Sequence, residues 1–146
     1  MSRVFVSEAT GAVVYVFAVD YCPPHVHARH RGEDWVARVG FFYVGSTVEL
    51  ISIAPLKNVP RQRVVNEFLD EIHARLAECR RSWWTTKQTT CLTNQWATAP
   101  GAGLIELRSE RTSDAKQIAN ARYAPSTERL HVTFRDGTAV EVSAQP

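Results

Sequence analysis

Apolar and polar residues alternate at every second position through much of the first fifty residues, step by three and four between Val65 and Cys79, and alternate again near the C-terminus. Period two marks a half-buried strand, and steps of three and four mark a helix with one apolar face. The chain therefore predicts a short strand at 4–6, a turn at Thr10-Gly11, and a longer strand at 12–19 that is apolar on both faces and so the central or most buried strand of its sheet. Residues 41–44 continue the sheet or bulge near Gly40 and Gly45, and 48–53 form a further strand with a mostly buried face. Pro60 suits the first turn of a helix running to about Arg81. Its stripe of Val65, Phe68, Leu69, Ile72, Leu76 and Cys79 packs on the sheet, and Arg80-Arg81 suit the negative end of its dipole. His73 flanks the stripe and reads as structural.

Between the first strands and the helix lies the densest chemistry, Tyr21-Cys-Pro-Pro-His-Val-His-Ala-Arg-His-Arg31. Pro23 and Pro24 remove two backbone donors and hold the entry extended, so a strand begins at His25. With Gly32-Glu33 as the loop, the following run pairs back on it: His30 opposite Trp35, Ala28 opposite Ala37, Val26 opposite Val39. That leaves one apolar face and one carrying His25, His27, Arg29, Val36 and Arg38. Two imidazoles and two guanidiniums together can bind phosphate, transfer protons or ligate a metal. Polar residues on the outer face of a half-buried hairpin are also ordinary. His30, near the turn, reads as a rim histidine, and Asp20 at the corner either makes a turn or orients one histidine.

From Trp83 the composition shifts to a Thr-rich stretch punctuated by Pro100, Gly101 and Gly103, although Trp83, Trp84 and Trp96 argue against disorder. Beyond it, 130–134, a turn at Asp136-Gly137 and 138–142 form a hairpin. The fold class is thus α+β. A small antiparallel β-sheet packed by one amphipathic helix occupies 1–84, a connector 85–112, and a small β-rich unit 113–146.

The chain has 146 residues and a net charge of +2 from 17 basic and 15 acidic groups, a balance that makes no case for nucleic acid by itself. Fourteen of the basic residues are arginine, which supplies planar phosphate binders where they cluster, as at Arg29, Arg31 and Arg38. Cys22, Cys79 and Cys91 are odd in number and show no Cys-x-x-Cys spacing, so reduced thiols in a cytoplasmic protein are expected. No apolar run reaches the ~18 residues of a membrane helix, so no membrane role is expected.

Pro23-Pro24-His25-Val26-His27, placed between an aromatic-rich strand and a hairpin and followed by a helix ending in tryptophan, resembles a small domain family of unknown function. Some of its members are DhiT-type toxins of two-gene toxin–antitoxin modules. The resemblance covers about residues 3–84. The stretch 41–53 and the extension after Trp84 depart from it. Residues 113–142, with Phe134-Arg-Asp-Gly137, are similar to a second small β-rich family often encoded beside the first.

The resemblance implies a toxin-like component of a prokaryotic toxin–antitoxin system acting on RNA, with an antitoxin-like protein partner. His25 and His27 then serve as proton donor and acceptor, and Arg29 and Arg38 hold the phosphate, as in a metal-independent ribonuclease with no cofactor. Two other classes stand beside it. One is a non-catalytic regulatory module whose C-terminal hairpin offers an edge strand to another chain. The other is a metal site of His25 and His27 with Asp20 or Cys22, ranked last for want of a clear third ligand.

Overall fold

The computed structural model describes residues 1–101 and 103–144. Residue 102, in the expected connector, and residues 145 and 146, in the expected C-terminal unit, lie outside the described residues. The chain divides into two compact units, 1–42 with 46–87, and 43–45 with 88–146. Both are antiparallel sheets of five strands, and the first also carries two helices, giving an α+β fold.

The first unit holds β1 (Ser2–Val6), β2 (Val13–Val16), β3 (His25–His30), β4 (Trp35–Phe41) and β5 (Val48–Ala54), followed by α1 (Gln62–Ala74) and α2 (Leu76–Lys87). Its strands lie in chain order, each beside the next. The hairpin forms in the expected register, with His30 opposite Trp35, Ala28 opposite Ala37 and Val26 opposite Val39. Its alternation sends Val26, Ala28, Trp35, Ala37, Val39 and Phe41 into the core. The helices cover that core, α1 against β5 and α2 against β1 and β2, burying Val65, Phe68, Ile72, Leu76, Cys79 and Trp83.

Three features differ from expectation. The single helix is two, separated at Arg75, whose guanidinium lies over the Phe5 ring at 4.7 Å and bonds Glu78. The second helix runs on to Lys87, so Arg80 does not sit at a helix end. It is buried, and its Nε donates to the Phe42 carbonyl at 3.0 Å. Strand β5, at the edge of the sheet, is mostly exposed rather than mostly buried, with Ile51 open to solvent.

The second unit arranges β6 (Trp96–Gly101), β7 (Leu104–Arg108), β8 (Lys116–Ala124), β9 (Arg129–Phe134) and β10 (Ala139–Ser143) in the order β10-β9-β8-β6-β7. The expected hairpin is β9 and β10, paired Val132 to Val140, and β10 is an edge strand. The stretch read as connector carries β6 and β7. Trp96 and Thr98 favour a strand there, and Gly101 and Gly103 lie at its turn into the next. Buried Ile118, Ala121, Tyr123, Leu130, Val132, Phe134 and Val142 form this unit's core.

Cys79 is a free thiol, fully buried, and burial pushes its pKa up to about 12. Neither Cys22 nor Cys91 is a reduced thiol, which corrects the expectation of three. A buried, protonated thiol is a poor nucleophile. Iodoacetamide at pH 8 is expected to leave Cys79 unmodified in the native protein and to label it in denaturant, as peptide mass mapping would show. Rapid native labelling would place the thiol at the surface. Among the described residues, no helix is long and apolar enough to cross a membrane.

Candidate functional site

The register of the first sheet aligns one residue from each strand across its outer face. Arg3 on β1 lies beside Tyr15 on β2, Tyr15 beside His27 on β3, His27 beside Arg38 on β4, and Arg38 beside Ser52 on β5. Directly paired side chains in neighbouring strands touch. The face thus presents guanidinium, phenol, imidazole, guanidinium and hydroxyl in one row.

Beside the row, β2 ends earlier than its apolar run, at Val16, because the chain turns there. Asp20 closes the turn by accepting the Phe17 amide on Oδ2 at 2.8 Å. Its other oxygen, Oδ1, lies 2.9 Å from His27 Nε2 and 3.6 Å from His25 Nε2. Asp20 therefore fills both roles that its position allowed. A carboxylate can only accept, so His27 carries its proton on Nε2 in this pairing. His25 Nδ1 lies 2.9 Å from the Pro23 carbonyl, also an acceptor, so that ring carries its proton on Nδ1.

Aromatic rings wall the cluster. Tyr15 stacks on His27 with 5.4 Å between centroids and 10° between planes, Phe17 meets His27 edge-on at 5.1 Å, and Trp83 tilts against His25 at 5.4 Å. The Trp83 indole nitrogen is buried and has no hydrogen-bond partner among the described residues. Burial pulls the Asp20 carboxyl upward, but the Phe17 amide and the two imidazoles outweigh it and hold the group below the usual range. Burial likewise raises the Tyr15 phenol, with Arg29 opposing.

The four residues expected to form the site divide into two sets. His25 and His27 join in the Asp20 cluster. Arg29 and Arg38 are exposed on the same face and do not enter it. The expectation that the whole face looks into solvent fails for His25, which is only 4 % exposed, because Trp83 and the Asp20 turn cover the end of β3. Arg29 instead lines a groove of about 630 Å³ with Arg3, Arg31, Val13, Tyr15 and Phe17. No carboxylate lies within ion-pair distance of Arg3, Arg29, Arg31 or Arg38 among the described residues. His30 is a rim histidine, its Nδ1 accepting the Glu33 amide at 2.9 Å. His73 is exposed on α1, away from this face.

Sequence reasoning missed Arg3, Tyr15, Phe17 and Trp83. Arg3 and Tyr15 were within reach, since alternation along β1 and β2 puts them on one face once those strands pair with β3. No family model, curated protein or solved structure matches the chain.

Proposed function

We propose that the outer face of the first sheet binds RNA and presents the half-buried His27 to a phosphate, in the toxin-like role implied by the Pro-Pro-His-x-His resemblance. The cross-strand row carries this reading. Two guanidiniums flank an imidazole that a carboxylate orients, and guanidinium is the side chain best matched to phosphate. Arg3 and Arg38 stand three strands apart, roughly 14 Å at ordinary strand spacing, so both together suit a chain of phosphates better than a single one. The groove's arginines and half-buried Phe17 supply the mix of charge and ring surface on which single strands are held. An antitoxin-like partner would act by covering this face.

The test is fluorescence anisotropy with a labelled single-stranded RNA over a range of salt. Arg3→Gln, Arg29→Gln and Arg38→Gln are each expected to weaken binding and to flatten the plot of log affinity against log salt by about 0.7, the contribution of one phosphate contact on a single strand. All three side chains are exposed, so the circular dichroism spectrum should not change. Binding that none of the three variants alters would overturn the reading.

A further inference from the structure

We infer that Asp20, His25 and His27 form a binding site for a divalent transition-metal ion. One donor atom from each residue lies within 4.8 Å of the others. Two of those separations, 2.9 and 3.6 Å, bracket the spacing of roughly 3.0–3.4 Å that neighbouring ligands adopt around an ion held at ~2.0–2.1 Å. The donors are close to assembled, and small side-chain rotations, with the His27 proton moved from Nε2 to Nδ1, turn three lone pairs towards one ion.

The surroundings match a ligand set as well. A metal-binding histidine normally donates its other ring N–H to a carbonyl or carboxylate, which fixes the tautomer and aims the free nitrogen at the ion. His25 does this, with Nδ1 on the Pro23 carbonyl and Nε2 turned towards Asp20. Asp20 is held in the same way, since the Phe17 amide occupies Oδ2 and leaves Oδ1 at the point where the rings converge. His25 Nε2 and Asp20 Oδ1 face each other at 3.6 Å, beyond ordinary hydrogen-bond length and within the span of two ligands on one ion. The inward-facing nitrogens, with no thiolate in the cluster, select zinc, iron(II), cobalt, nickel or manganese over magnesium or calcium.

Three protein donors leave coordination positions open, as catalytic rather than structural centres do. A divalent ion held there would supply Lewis-acid polarisation of a phosphoryl oxygen on a substrate lying along the arginine row. That chemical role rests on the RNA reading of the face, but the metal site itself does not. His27, cross-strand neighbour of Arg38, joins the cluster to the row.

The experiment uses the full, tag-free chain, stripped with a chelator and then titrated without RNA with zinc and, separately, with cobalt(II). Binding is read by calorimetry and by cobalt absorption. About one equivalent is expected to bind and to raise the melting temperature, since an ion that prefers the folded state stabilises it. Asp20→Asn and His25→Gln are each expected to weaken binding by more than about 100-fold, beyond what losing an outer-shell partner costs. If either variant fails to fold, His27→Gln, at a more exposed position, provides the same comparison. No uptake of either ion by the folded protein, or uptake that these variants leave unchanged, would overturn the proposal. RNA affinity measured in chelator reads the arginine face alone, so the two proposals fail separately.

Discussion

Trp35→Ala is expected to lower the stability of the first unit by about 3–5 kcal/mol, the range for deleting a large aromatic from a packed core. The indole is 2 % exposed, lies against His30 at 5.6 Å and Phe68 at 6.4 Å, and donates from Nε1 to Glu33 at 3.1 Å. Alanine would leave a cavity between sheet and helix that neither can close without shifting. The indole is on the face opposite the row, so protein that remains folded should bind RNA with unchanged affinity. Chemical denaturation gives the first quantity and anisotropy on the folded fraction the second. A stable Trp35→Ala protein that had lost RNA binding would invert the assignment of the two faces.

His27→Ala is expected to show the opposite pattern, with a modest loss of stability and a loss of any RNA-cleaving activity of at least about 100-fold. The His27 side chain is 13 % exposed, and its hydrogen bond to Asp20 is the main native contact forfeited besides ring packing. Its removal should therefore cost about 1–3 kcal/mol, the scale for a partner lost from a part-buried charge-assisted bond. Activity is followed by gel on a labelled single strand, in metal-replete buffer and again in chelator. Undiminished cleavage by His27→Ala would remove this residue from the chemistry. His25→Ala is a poorer probe than a purely outward-facing histidine would be. Its ring is buried against Trp83, and truncation strips the Pro23 carbonyl of its partner.

Much of the first unit's architecture was legible because it depends on local rules. Two prolines, strict alternation from His25 to Arg29 and a tight turn are enough to pair Val26 with Val39 and to set Arg38 beside His27. Alternation assigns a side chain to a face but does not say what covers that face. The cover at His25 comes from Asp20, five residues before the hairpin, and from Trp83, near the far end of the helical region. Neither contact has a sequence signature. The metal reading ranked last in the sequence for the same reason, since nothing there chose between Asp20 and Cys22 as third ligand, and only the turn at Phe17 aims Asp20 at the two rings. The break at Arg75 and the strands β6 and β7 escaped because tertiary pairing overrode weak local signals.

The five-strand row has a consequence for how the chain can change length. Surface loops usually absorb insertions at small cost. Here the loops joining β1 to β2 and β3 to β4 also set phase. One residue added or lost in a way that slips a strand by one place exchanges its two faces, turning Arg3, Tyr15 or Arg38 inward and an apolar neighbour out. A slip by two keeps the faces and only displaces the row along its strand. The tolerance of these loops to insertion and deletion therefore depends on parity, and a single-codon indel is the smallest genetic event that could dismantle the site while changing no residue within it.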